Sequence, residues 1–290
     1  MFNGALTALA TPFRDGEVDE RVLREMVEWQ IQNGIDGLVP CGSTGESATL
    51  THAEHERVVA IVIDQTRRRV PVVAGAGSNS TAEAIRLTAS AREAGADGAL
   101  LISPYYNKPT QEGIYKHYKM IAASVDLPLI IYNIPGRTGS NIAPETCARM
   151  CEIRNIVGIK EASGSMDQAS DIRRLCGDRL TILSGDDSLT VPLMALGAKG
   201  VIATIGNVMP REIHDLAAAA LAGDFARARE LHFKMLPLMR ALFLETNPIP
   251  VKQALAFMGK YRPEMRMPLI QMSPPLAEKL LAAMKELRLA

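Results

Sequence analysis

The chain has 290 residues, 47% of them hydrophobic, enough for a sizeable core in one large or two small domains. Lysine plus arginine and aspartate plus glutamate each number 32, so no basic excess points to nucleic acid or to a membrane surface. The four cysteines, Cys41, Cys147, Cys151 and Cys176, match no zinc spacing, and a chain of this size needs no disulfide staples.

Residues 1–9 lack the basic start of a secretory signal, and no apolar run is long enough to span a bilayer. A reduced, cytoplasmic protein is the expectation. A first apolar run suited to a buried strand covers residues 5–10. Asp19 then stands as an N-cap before an amphipathic stretch with Val22, Met26, Trp29 and Ile31. Further strand-like runs follow at 37–40, 70–74, 98–102, 127–132, 156–160, 180–184 and 200–204. Helical spacing fills the gaps at 54–69, 81–94, 111–124, 144–151, 166–176 and 188–196. Cys147 and Cys151, four apart, read as small apolar residues on one helix face. The turn Asn33-Gly34-Ile35-Asp36-Gly37 recurs as Ala94-Gly95-Ala96-Asp97-Gly98 and as Leu196-Gly197-Ala198-Lys199-Gly200. Each time glycine stands where a helix end favours a left-handed residue.

Eight strands alternating with helices predict an α/β fold, a (β/α)8 TIM barrel. A doubly wound open sheet is the competing arrangement, but it usually needs fewer strands. Gly75-Ala76-Gly77 also runs into Ser78-Asn79-Ser80 without completing a dinucleotide fingerprint. After about residue 224 the strands stop, and residues 224–244, 249–258 and 274–287 read as helices. The expected organisation is a catalytic barrel over residues 1–224 and a C-terminal helical domain over residues 225–290.

In such barrels the reacting groups sit where strands end. Tyr132 ends the fifth run and Lys160, 28 positions on, ends the sixth, so a phenol and an amine share one rim. A lysine leaving an apolar wall has its ammonium disfavoured by desolvation. A neutral amine can attack a ketone, and the resulting iminium is an electron sink for a neighbouring carbanion. Tyr132 is the nearest proton shuttle, and the hydroxyls of Ser43, Thr44 and Tyr106 can relay protons through it. Glycines around Ser43-Thr44 let backbone N–H groups approach a carboxylate, and Arg137 offers a fork for a second one. The plain alternative is a rim lysine paired with Glu161 or a loop carboxylate. A metal-dependent aldolase needs histidine and carboxylate ligands at strand ends. The five histidines, His52, His55, His117, His214 and His232, fall in predicted helices or loops, and no third ligand accompanies His52-x-x-His55. Asp186-Asp187 would oppose a phosphate beyond strands seven and eight. No metal or cofactor is expected.

Gly42-Ser43-Thr44-Gly45-Glu46-Ser47, Tyr132-Asn133-Ile134-Pro135-Gly136-Arg137-Thr138-Gly139 and Gly158-Ile159-Lys160-Glu161-Ala162-Ser163 resemble signatures of the dihydrodipicolinate synthase/N-acetylneuraminate lyase family of class I aldolases. The match runs in order across nearly the whole chain. Arg137, Tyr105-Tyr106-Asn107-Lys108-Pro109 and Glu46-Ser47-Ala48-Thr49-Leu50 side with the synthase branch. The resemblance implies that Lys160 forms a Schiff base with pyruvate. Tyr132, Ser43 and Tyr106 would form a proton relay, Tyr106 reaching into a neighbouring subunit's site. Backbone at Ser43 and Thr44 would hold the pyruvate carboxylate, and Gly185 and Ile202 would line the same pocket. Arg137 would bind the carboxylate of aspartate 4-semialdehyde, which the pyruvate enamine attacks. The relay position usually holds threonine in synthases and serine in the lyases; Ser43 lacks the methyl that restricts χ1.

The family further implies feedback inhibition by L-lysine at a dimer interface, at positions matching Ser47, Ala48, His52, His55, Asn79, Glu83 and Tyr105, and a homotetramer built from two dimers. A solvated helix face is the bland reading of the same residues. Two other readings compete: a related pyruvate-dependent aldolase acting on a sialic or sugar acid, and a catalytically idle pyruvate- or lysine-sensing protein. Arg137 with the paired tyrosines speaks against the first. Lys160 with Tyr132 speaks against the second.

Overall fold

Eight strands form the centre of the molecule: β1 (Gly4–Ala8), β2 (Gly37–Val39), β3 (Val73–Gly75), β4 (Gly98–Ile102), β5 (Leu129–Asn133), β6 (Ile156–Glu161), β7 (Thr181–Ser184) and β8 (Gly200–Ala203). They come from a computed structural model that describes residues 2–290. Their order is β2-β1-β8-β7-β6-β5-β4-β3, every neighbouring pair parallel. A parallel bridge between Leu38 and Val72 joins the two ends and closes the barrel. The barrel expected from the sequence is therefore the fold.

Helices α1 (Glu20–Gln32), α2 (His52–Thr66), α3 (Thr81–Ala94), α4 (Gln111–Ser124), α5 (Pro144–Met150), α6 (Met166–Cys176), α7 (Thr190–Ala195) and α8 (Pro210–Leu221) surround the strands. Their starts are set by local chemistry. Asp19 accepts from Val22 N, Ser80 from Glu83 N and Ser165 from Gln168 N, while Thr51 and Glu54 form a reciprocal capping box at α2. The thrice-used turn has one geometry: Gly34, Gly95 and Gly197 have φ of 81°, 92° and 99°. In two copies the aspartate reaches back to the preceding strand. Asp36 Oδ2 accepts from Ala5 N and Asp97 Oδ2 from Val72 N, both at 2.8 Å. Helix α8 was not anticipated, although Ile213, Leu216, Ala217 and Ala220 form a buried stripe on one face. A small hairpin of Phe13–Arg14 against Glu17–Val18 was also unforeseen.

Side chains alternate along each strand. One set, including Leu6, Val39, Val73, Leu100, Ile130, Leu183 and Ile202, fills the barrel interior. The other packs under the helices. Beyond the barrel lie α9 (Phe225–Ala241), α10 (Ile249–Phe257) and α11 (Pro274–Glu286). Helix α10 is tied to the loop after β2 by a buried ion pair: Lys252 Nζ lies 2.6 Å from Glu46 Oε1, with both side chains essentially inaccessible. Glu46 Oε2 also accepts from Arg266 N at 3.1 Å, and Lys252 Nζ lies 4.2 Å from the centre of the Phe13 ring.

Removing one partner of a buried pair strands the other charge. Lys252→Met should therefore lower stability by about 3–5 kcal/mol in denaturant unfolding. Adding Glu46→Gln should recover part of that loss. Full wild-type stability in Lys252→Met would show that the pair does not anchor α10.

Candidate active site

Parallel register sets the centre of the site. Tyr132 of β5 pairs with Lys160 of β6, and Lys160 with Leu183 of β7. Neighbours in register point the same way, so phenol and amine both face the barrel axis. Lys160 Nζ lies 4.3 Å from the centroid of the Tyr132 ring. Strand β6 runs one residue past Lys160, and the next side chain, Glu161, points to the opposite face. There its carboxylate accepts from Ser163 N at 2.8 Å and from Asn133 Nδ2 at 3.1 Å. Pairing between Lys160 and Glu161, the plain alternative, does not occur.

Lys160 is 6% exposed, and among the described residues no carboxylate lies within ion-pair distance of it. Burial lowers its pKa to about 8, with Asp187 and Asp186 opposing that shift and Arg137 adding to it. Burial also pushes the Tyr132 phenol above its ordinary value. Asp187 is buried and its pKa is raised to about 6 by that burial, although its carboxylate accepts from Thr204 N at 3.0 Å and Ile205 N at 2.7 Å. It thus laces the ends of β7 and β8 together. Gly185 makes room for the amine: a Cβ there would fall 3.1 Å from Lys160 Cε and 2.6 Å from Ala162 Cβ. Ile202 sits deeper in the barrel interior, in register with Leu6 and fully buried.

The loop after β2 brings Ser43 and Thr44 to the same end. Its tight path needs glycines. A Cβ on Gly45 would meet Cys41 N at 3.0 Å, and one on Gly75 would meet Cys41 O at 2.2 Å. Thr11 Oγ1 donates to Gly45 O at 2.7 Å. Arg137, on the short helical turn Pro135–Thr138 after β5, donates through Nη2 to Asn247 O at 3.3 Å. Asn247 Nδ2 in turn donates to Thr44 Oγ1 at 2.9 Å. Asn247 was not singled out in the sequence; Asn-Pro between two helices signals only a turn. A cavity of about 550 Å³ opens here, lined by Ser43, Tyr132, Arg137 and residues 246–248.

Tyr106 lies apart from this group. It is 88% exposed, with φ of 71°, and projects from its own chain. Among the described residues no hydrogen bond links Tyr132 to Ser43 or Tyr106.

The same cavity continues to the second predicted cluster, where Ser47, Ala48, His52, His55, Glu83 and Tyr105 line it. His52 Nε2 lies 2.7 Å from Glu83 Oε1, and Ser78 Oγ also donates to that carboxylate. Ser78 first and His52 second hold Glu83 below the usual carboxylate range. His55 Nε2–H donates to Gly75 O at 2.7 Å, so His52 and His55 turn to different partners and do not converge as a ligand pair. Asn79 stands behind Tyr105, its Nδ2 donating to Tyr105 O at 3.1 Å.

The comparisons with known proteins agree with this geometry. The sequence profile of the Dihydrodipicolinate synthetase family matches residues 1–287. The 4-hydroxy-tetrahydrodipicolinate synthase of Syntrophus aciditrophicus is 59% identical over 285 residues, 98% of each chain. The structure of the chloride-inhibited dihydrodipicolinate synthase from Acinetobacter baumannii, complexed with pyruvate, superposes with a TM-score of 0.99 at 43% identity over 100% of both chains. That of DHDPS from Cyanidioschyzon merolae with lysine bound gives 0.96 at 40% identity, covering 100% of this chain and 99% of the other. With an amine that has no ionic partner among the described residues and a phenol at the catalytic end of a parallel barrel, the chain belongs to the dihydrodipicolinate synthetase family.

Proposed function

We propose that this chain is a lyase that condenses pyruvate with L-aspartate 4-semialdehyde to give 4-hydroxy-tetrahydrodipicolinate, the first committed step of lysine and diaminopimelate biosynthesis. The observation that carries the reading is a buried lysine without an ionic partner among the described residues, poised over Tyr132 beside the space left by Gly185. Neutral Lys160 Nζ adds to the ketone carbon of pyruvate, and water leaves to give the iminium. The iminium draws electrons from the methyl C–H bond, and loss of that proton gives an enamine. The enamine carbon attacks the aldehyde, whose oxygen takes up a proton. The amino group of the second substrate then attacks the iminium carbon, closes the ring and expels Lys160. One water is released overall.

Tyr132 moves the protons together with Ser43, and Tyr106 from a neighbouring copy completes the relay. Its exposure on its own chain supports that role. Thr44 holds the pyruvate carboxylate, Gly185 and Ile202 bound the pyruvate pocket, and Arg137 takes the carboxylate of the semialdehyde. L-lysine acts as inhibitor at the cluster of Ser47, Ala48, His52, His55, Asn79, Glu83 and Tyr105. The Glu83 carboxylate matches its ammonium groups. The active form is a cytoplasmic homotetramer, each chain a catalytic barrel over residues 1–224 with a C-terminal helical unit over 225–290.

Incubation with pyruvate and borohydride should leave a reduced adduct on Lys160, read by peptide mass mapping. An adduct elsewhere, or none, would sink the mechanism. Only the neutral amine attacks. With a pKa of about 8 its fraction falls nearly tenfold for each pH unit below 7 and levels off above 9. The initial trapping rate should follow that curve, and a flat profile between pH 6 and 9 counts against it. Arg137→Ala should raise KM for the semialdehyde by roughly 10- to 100-fold, the worth of a charged hydrogen bond, while pyruvate trapping persists. Glu83→Ala should keep activity but lose inhibition by L-lysine. Unchanged inhibition in this variant would remove the proposed lysine site.

A further inference from the structure

The segment 246–248 between α9 and α10 belongs to the wall of the substrate cavity, alongside Ser43, Tyr132 and Arg137. Asn247 is 6% exposed and makes two contacts there. Its side-chain nitrogen donates to Thr44 Oγ1 at 2.9 Å, and its backbone oxygen accepts from Arg137 Nη2 at 3.3 Å. Its Oδ1 is buried without a partner among the described residues.

A hydroxyl has one proton to give and two lone pairs to fill. Thr44 Oγ1 accepts from Asn247, and among the described residues nothing accepts the Thr44 proton. That proton is therefore left for a guest. An anion fits beside it, because the glycine-bounded loop offers backbone N–H groups there and the adjacent Ser43 shares a cavity with Arg137. The orientation of the amide decides this polarity. As placed, Nδ2 donates to Thr44 Oγ1; reversed, Oδ1 would take up the Thr44 proton instead and both N–H donors would be left unpaired.

We infer that Asn247 is a positioning residue for the keto acid, one that keeps the Thr44 hydroxyl a donor to the substrate carboxylate and ties it to the arginine of the second substrate. The inference rests on the condensation proposed above and gives the C-terminal segment a share in substrate selection. Asn247→Asp is the discriminating variant. It is nearly isosteric, yet its carboxylate would capture the Thr44 proton and place a negative charge beside the incoming anion.

The test uses the full chain and reads the pyruvate concentration that half-saturates borohydride trapping on Lys160. Asn247→Ala should raise it about tenfold, with the trapping rate at saturation and its pH midpoint unchanged. Asn247→Asp should raise it by roughly a further tenfold. A merely structural role gives the reverse order, the isosteric aspartate milder than alanine, and that result overturns the inference. Should Asn247→Asp fail to fold, the cycle between Asn247→Ala and Thr44→Val decides. Coupling, with the second change adding less than about twofold, supports the inference, and independent additive effects overturn it. Absence of any adduct in the unaltered chain would instead defeat the condensation reading itself.

Discussion

Burying an amine without a counter-ion is costly, and the catalytic end of this barrel is organised around that cost. Among the described residues two lysines are buried, and they are treated differently. Lys252 is inaccessible, but Glu46 lies 2.6 Å away and the pair is further fixed by Arg266 N. Burial lowers its pKa and Glu46 opposes that shift, leaving a charged strut between α10 and the loop after β2. Lys160 has no carboxylate at contact distance among the described residues. Its nearest aromatic partner is Tyr132, and Asp186 and Asp187 act from farther off. One lysine is held as a cation for structure. The other has its pKa brought down to about 8, so that a usable fraction is the free amine that attacks carbonyls.

Much of this was legible in the sequence because barrel chemistry is linear. Strands announce themselves by short apolar runs, and the residues at their ends form the rim. Tyr132, Lys160, Ser43 and Arg137 were found in that way, whereas the register of β5 on β6, which shifts between Leu129 and Ile130, needs coordinates. The spacing could not say that Lys160 and Glu161 diverge to opposite faces, each finding different surroundings, although alternation along a strand requires it. Gly185 stands at the end of the seventh run, but its place in the pocket came only through resemblance. Its reason, space for the Lys160 stem, needs coordinates.

Asn247 and helix α8 were both missed, but differently. In α8 the local signal is present, with Ile213, Leu216, Ala217 and Ala220 buried on one face. In Asn247 the local signal is plain but uninformative, a turn before Pro248. Its meaning comes from Thr44, 203 residues away in sequence. Contacts of that separation leave no periodic trace, so a reading built on windows treats the C-terminal helices as an appendage. Tyr106 shows the related limit of a single chain. Its exposure is a fact of this chain, and the site it serves under the proposed assembly belongs to another copy.

The proposed inhibition by lysine gains a physical route from the way one segment serves both clusters. Residues 41–55 carry Ser43 and Thr44 at one end and Ser47, Ala48, His52 and His55 at the other. The segment is short and braced. His55 donates to Gly75 O, Cys41 Sγ approaches His55 O at 3.6 Å, and Gly75 lies so close to Cys41 that not even a methyl group fits between them. Glu46, in the middle, is fixed by Lys252 and holds a left-handed backbone at φ 53°. A ligand that draws Glu83 and His52 toward itself therefore acts on a loop with little freedom to absorb the change locally. The give has to appear at Ser43 and Thr44, the proposed seat of pyruvate, or at the bond from Asn247. A loop this tightly packed shifts as a unit more readily than it deforms.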